Sequence, residues 1–176
     1  MAVIDAAPID GAAGSDAAPP DGPGLTCPNN YQRITGLTSR YRLTGPGHYR
    51  QRHDDCANDQ PGNTHLVVLD TVAESDQLRL SFNQDWWVGA VQAPAQPLAA
   101  PADGWFQITG GPLPAALWAA GQPNDADSAE DDEQHIGLRR ADGLEDEAGT
   151  VHLPGLCECD GAPIDATVEG YIPDTG

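Results

Sequence analysis

Leu117-Trp-Ala-Ala-Gly-Gln-Pro-Asn124 is the stretch on which the reading of this chain turns. It joins an aromatic, a breaker glycine and a proline flanked by two side-chain amides, and it runs directly into the acids Asp125, Asp127, Glu130, Asp131, Asp132 and Glu133. Such density of oxygen donors is costly to hold in an empty loop, because like charges repel, and hard cations take six to eight oxygen ligands of this mixed carboxylate and amide kind. From Gln122 to Glu147 there are ten acids against Arg139 and Arg140, a local balance of −8. An EF-hand is not the expected form. Asp125 and Asp127 are followed by Ala129 where a third ligand belongs, and the loop glycine is missing.

Working outward, the stretches on either side alternate between strands and helices. Tyr41 to Thr44 reads as a strand stopped by Pro46-Gly47, and His48 to Asn58 as a polar helix carrying Cys56. His65-Leu-Val-Val-Leu-Asp70 reads as a buried strand, followed by the capping box Thr71-Val-Ala-Glu74, which opens a helix to about Phe82. Short strands are expected at Trp87 to Val91, Trp105 to Thr109, His135 to Arg139 and Val151 to Cys157. Trp87, Trp105 and Trp118 are assigned to the core, while Trp86 must face away from Trp87 and is the candidate for exposure. Two helices with short strands and long loops define an α+β domain.

Four cysteines, Cys27, Cys56, Cys157 and Cys159, permit two disulfides in three connectivities. The Cys157-Glu-Cys159 pair does not readily bridge to itself, so each member is expected to reach back to an upstream cysteine. That pattern favours an oxidising compartment. No basic, apolar export signal precedes it in this chain.

Cys27-Pro28, Asp55-Cys56-Ala57, the His65 to Glu74 stretch, Trp87-Val-Gly89, Trp105 to Gly110, Leu117 to Asn124, Glu130 to Asp132, Leu144-Glu-Asp146 and Leu156-Cys157-Glu158 follow one another in an order that resembles a C-type lectin-like domain. The resemblance covers about Cys27 to Asp160. It implies two helices flanking small antiparallel sheets, a long ligand-binding loop region, and the disulfides Cys56–Cys157 and Cys27–Cys159. A second loop bridge common in the family falls here on Asp132 and Gly149. The family's sugar-binding Ca2+ site maps to Gln122, Asn124, Glu130, Glu145 and Asp146, with Asp125 and Asp131 as possible auxiliary ligands. The bond before Pro123 is expected to be cis. Vicinal sugar hydroxyls would complete the ion's shell while Gln122, Asn124, Glu130 and Asp146 hydrogen-bond them.

Three departures stand out. Gln-Pro-Asn mixes the mannose-type and galactose-type motifs; Leu144-Glu145-Asp146 replaces a tryptophan and an amide; and the stretch Gln92 to Gln96 lacks the acids of the auxiliary site. The expected function is therefore calcium-dependent glycan binding at a cell surface or outside the cell. The alternative is a calcium-independent lectin-like domain that binds protein or enters a surface assembly.

Composition agrees. The chain has 176 residues, 27 Asp plus Glu against 8 Lys plus Arg, and a net charge of −19, which argues against nucleic acid as a partner because phosphate binding needs clustered cations. No apolar run is long enough to span a membrane. Serines lack any nucleophile-elbow context, and acids crowded in one loop suit a cation better than glycosidic hydrolysis, so no enzymatic activity is expected. His48 and His53, five apart, share no helix face for a metal, and His135 and His152 are assigned structural places. Residues 1–25, dominated by Ala, Asp, Pro and Gly, read as a disordered tether. Residues 26–161 form the domain, and 162–176 a final strand or tail.

Overall fold

The computed structural model describes residues 25–94, 101–124 and 133–173; nearly all of the expected tether, and Asp125 to Asp132, lie outside them. The elements in chain order are β1 (Gln32–Arg33), β2 (Arg40–Gly47), α1 (Tyr49–Asp59), β3 (Thr64–Leu66), α2 (Val72–Ser81), β4 (Trp86–Gln92), β5 (Trp105–Gln107), β6 (His135–Arg139), β7 (Gly143–Glu147), β8 (Leu153–Cys159) and α3 (Ala166–Glu169), with a 3₁₀ turn at Ala115–Leu117.

β8 organises the sheet. One edge carries β2, antiparallel, from Arg40 opposite Cys159 to Gly47 opposite Leu153. The other edge is shared: β3 pairs with Cys157 to Cys159, and β4 runs parallel at the single pair Trp87 and Gly155. From β4 the sheet continues through β6 to β7, with β5 also on β4. The first and last strands of the described residues therefore lie in one half, around β2 and β8, and the loop region is built on the other, around β4, β6 and β7.

Trp86 and Trp87 explain how the core divides. Alternation along β4 sends them to opposite faces, as expected, but Trp86 is fully buried rather than exposed. β4 is a central strand covered on both sides. Trp87 packs with Tyr49, Cys56, Leu66 and Ile108 beneath α1, whereas Trp86 packs with Leu78 and Phe82 of α2 and with Leu138, Leu144 and Leu156. Gly89, the third residue of Trp-x-Gly, is required by close approach. A Cβ there would stand 2.4 Å from the Leu66 carbonyl oxygen and 2.8 Å from Ile108, while its N–H donates to Val67 O at 2.7 Å.

Several boundaries differ from the sequence expectations. β2 runs through Pro46-Gly47 rather than stopping before them, because the register shifts between Leu43 and Pro46 and such an irregularity accommodates a residue without a donor. The expected strand 65–70 pairs as a strand only to Leu66; Val67 then bridges two strands, donating to Leu156 O at 2.7 Å and accepting from Gly89. β5 ends at Gln107, and β8 starts at Leu153 instead of Val151. Residues 143–147, read only as candidate ligands, form β7.

α2 begins where the capping box placed it. Thr71 Oγ1 accepts from Glu74 N at 3.1 Å, and Glu74 Oε2 accepts from Asp70 N at 3.0 Å. The C-terminal segment is a third helix rather than a strand or an unattached tail. Asp165 caps α3 by accepting from the Thr167 and Val168 amides, and Val168 and Ile172 enter the core beside Tyr49 and Ile108. Both implied disulfides are present, Cys56–Cys157 and Cys27–Cys159.

Candidate ligand-binding loop region

The Leu117 to Asn124 stretch lies along β7. Trp118 bridges Leu144 in parallel, Ala119 N donates to Leu144 O at 2.9 Å, and Gln122 N donates to Ala119 O at 3.1 Å. Leu117 is buried in the core, and the Trp118 ring meets Trp105 edge to face at 5.2 Å. Gly143 opens β7 with φ +125°, a conformation side chains resist, and a Cβ there would lie in ordinary contact with Ala119. These contacts fix the exit of the stretch. The Gln122–Pro123 bond is cis, as expected.

Asn124 reaches Asp146: its backbone N–H donates to both carboxylate oxygens, at 3.0 and 3.2 Å. Asp146 is itself 6% exposed. Gln122 presents a different feature. Its Oε1 is buried and accepts no hydrogen bond, a condition that costs about 1–3 kcal/mol for a polar atom and asks for a donor or a cation. Of the five expected ligands, Asn124 and Asp146 are in contact, and Gln122 stands two residues before Asn124.

Glu145 makes a different contact. Neighbours on a strand face opposite ways, and Glu145 points with Glu147 toward Arg139, whose Nε lies 3.6 Å from its Oε2. Arg139 also pairs with Glu147 and, at 3.2 Å, with Asp85. One arginine thereby gathers the acids on one face of β7. Burial pushes the Glu147 carboxyl above its ordinary range, against the pull of Arg139. Glu130, Asp125 and Asp131 lie outside the described residues.

Among the described residues, one group of three side chains has metal-ligand chemistry: His65, Glu158 and Asp160, with their ligand atoms within 4.8 Å of one another. The register of β3 on β8 sets His65 opposite Glu158. His65 Nδ1 lies 2.8 Å from Leu66 O, and its Nε2 lies 3.0 Å from Asp160 Oδ1. Both partners are acceptors, so both ring nitrogens carry hydrogen. So arranged, the ring is an imidazolium bonded to both acceptors. Burial alone would lower the His65 pKa, but the Asp160 hydrogen bond and the charges of Glu158 and Asp160 hold it above its usual value. Burial pushes Glu158 up to about 7 despite His65. Asp160 is held low by His65 although burial opposes it. Sequence reading missed this group because His65 and Asp160 meet only through strand pairing.

Other histidines are placed by packing. His135 lies against the Tyr49 ring at 4.2 Å, and burial lowers its pKa to about 4. His53 is buried, with its pKa likewise lowered by burial. His152, given a structural place by the sequence, meets His48 across 104 residues.

A sheet built on β8, two flanking helices, paired disulfides and a cis-proline loop beside β7 give the chain a C-type lectin-like fold of the α+β class. The solved structures agree. The human scavenger receptor C-type lectin carbohydrate-recognition domain superposes with TM-score 0.63 at 20% identity, covering 77% of this chain and 99% of that one. The cow C-type carbohydrate-recognition domain of CD23, determined in the presence of a GlcNAc2Man3 oligosaccharide, gives 0.61 at 20% identity over 76% and 95%. A calcium-independent type II antifreeze protein gives 0.62 at 14% identity over 77% and 95%. No protein-family model and no curated protein sequence matches the chain.

Proposed function

We propose that the domain binds glycans through one Ca2+ ion held by Gln122, Asn124 and Asp146, with Glu130 as a further ligand. The observation that carries this reading is the buried, unpartnered Gln122 Oε1, two residues from the amide that binds Asp146. A carbonyl oxygen of this kind, an adjacent side-chain amide and a carboxylate are the hard donors calcium takes. Glu145 is left out of the primary set because Arg139 already holds it. When bound, the ion would supply open coordination positions for two vicinal hydroxyls, and the amides of Gln122 and Asn124 would orient them. The oligosaccharide present with the cow CD23 domain supports carrying a glycan ligand to this chain. Both disulfides favour an exported, extracellular or surface location, with residues 1–25 as a tether for the domain and no helix among the described residues long and apolar enough to cross a membrane.

One observation favours a second reading. Asp146 is already satisfied by the Asn124 amide without an ion, and a calcium-independent antifreeze protein shares the fold. On that reading the loop face binds a protein surface or an assembly partner. Calorimetric titration of mannose-type and galactose-type oligosaccharides, in Ca2+ and then in chelator, separates the two. Binding in Ca2+ alone, lost in Asp146→Asn, is the expected result; equal binding in both buffers overturns the calcium mechanism, and no binding in either favours the protein-binding reading.

A further inference from the structure

We propose that His48 and His152 form a binding site for a borderline transition-metal cation, Zn2+ or Cu2+, distinct from the acidic loop region. His48 is the residue before α1 and His152 the residue before β8. The turn between β7 and β8 docks on the start of α1, with Tyr49 N donating to Gly149 O at 3.1 Å and Val151 N to Ala148 O at 3.0 Å. That docking brings the two imidazoles together, ring centroids 4.1 Å apart and planes at 79°.

The tautomer of His48 is fixed. Its Nδ1 lies 3.0 Å from the Thr150 carbonyl oxygen, which only accepts, so Nδ1 carries the hydrogen and the neutral ring keeps its lone pair on Nε2. A backbone carbonyl in this position is the support that metal-bound histidines generally use. The His48 Nε2 faces the Nε2 of His152 at 3.1 Å. Two nitrogens at 2.0–2.1 Å from one tetrahedral zinc stand about 3.3 Å apart, so a few tenths of an ångström and a rotation of the exposed His152 ring aim both lone pairs at one ion. Without metal, His152 donates its Nε2 hydrogen to His48; with metal, that hydrogen moves to Nδ1 and Nε2 becomes the second ligand.

Among the described residues no third histidine, cysteine or carboxylate joins this pair. The remaining coordination positions therefore go to water or to a group on a bound molecule. Imidazole ligands suit Zn2+ and Cu2+, with Cu2+ the tighter, whereas Ca2+ takes oxygen. The histidine pair and the oxygen-rich loop would thus take cations of different hardness.

Titration of the full chain with ZnCl2 in millimolar CaCl2, which keeps the acidic loop occupied by its own cation, tests the proposal by calorimetry. One Zn2+ site is expected in the wild type, weakened at least about tenfold in His152→Ala and in His48→Gln, and unchanged in Asp146→Asn. Circular dichroism confirms that each variant is folded. A second measurement needs no variant to fold differently: substoichiometric Cu2+ should broaden two of the five imidazole Hε1 signals first. No heat in the wild type, equal Zn2+ affinity in wild type and both histidine variants, or uniform broadening of all five signals overturns the site.

Discussion

The two halves of the sheet are held by different kinds of bond. Around β2, β3 and β8 the chain is closed covalently, with both disulfides ending on β8 and spanning 132 and 101 residues. Around β4, β6 and β7 the loop region is held by polar contacts. Gln92 Nε2 donates to Pro101 O and Asp103 O at 3.2 and 3.0 Å, Trp105 Nε1 to Pro101 O at 2.8 Å, and Gln107 Nε2 to Leu69 O at 3.2 Å. Side-chain amides bonded to loop carbonyls are worth about 1 kcal/mol each, far less than a disulfide. Covalent closure thus falls in the half that carries the chain's first and last strands, and the candidate site falls in the half shaped by weaker bonds.

The sharpest way to break the contrast is to cut the covalent half. The double substitution Cys56→Ser with Cys157→Ser opens a loop of 101 residues and is expected to lower unfolding free energy by about 4–5 kcal/mol, measured by urea denaturation. Under conditions where the variant is still folded, its sugar titration should match the wild type; a parallel loss of binding would show that the halves are coupled.

Next in size is the His65 group, which couples the covalent half to pH. The folded-state pKa of His65 is raised, so its contribution is complete below its unfolded value of about 6.5 and lost as pH climbs through the folded value. Glu158, raised from 4.5 to about 7, acts in the same direction. Asp160, lowered, loses its contribution only as pH falls through its depressed value. The stability that this group contributes is therefore expected to decline from mildly acidic to mildly alkaline pH, whereas the lowered pKa values of His53 and His135 act in the opposite direction below about 6.5. His65→Gln should cost about 2–3 kcal/mol at mildly acidic pH and distinctly less in alkaline buffer; a gap that stays constant across urea curves would refute the charged assignment.

In the polar half, Asp146→Ala should reduce calcium-dependent sugar affinity at least about tenfold, equivalent to about 1.4 kcal/mol, while the melting temperature moves little. A large fall in melting temperature would mean that the Asn124–Asp146 bonds hold the fold as well as the site. Smallest is Thr71→Ala, which removes the Glu74 cap bond of α2 and is expected to cost about 1 kcal/mol with no effect on ligand binding.

How far the sequence could be read follows from which forces are local. The capping box at Thr71, the glycine of Trp87-Val-Gly89 and the strand at His135 to Arg139 announce themselves within a few residues, and each is found where it was expected. The burial of Trp86 is decided by α2 and β6 closing over β4, which alternation within one strand cannot reveal. α3 escaped because four residues carry no periodicity, and it persists through the Asp165 cap and the burial of Val168 and Ile172. In the candidate site, Gln122, Asn124 and Asp146 were legible as hard donors. The opposite direction of Glu145 depends on its place in β7 beside Arg139.

Residue type and short spacing were enough for the strand, helix, strand and capped helix from Tyr41 to Phe82, the four cysteines, the Gln-Pro-Asn turn and the acid-rich chemistry of the loop. Only the tertiary structure decided which groups meet. Pairing of β3 with β8 makes an ion pair of His65 and Asp160, docking of the β7–β8 turn on α1 brings His48 to His152, and the run of 117–124 along β7 sets Asn124 on Asp146. These are contacts between residues far apart in the chain, and the sheet register that creates them is fixed by burial of whole faces rather than by any local signal.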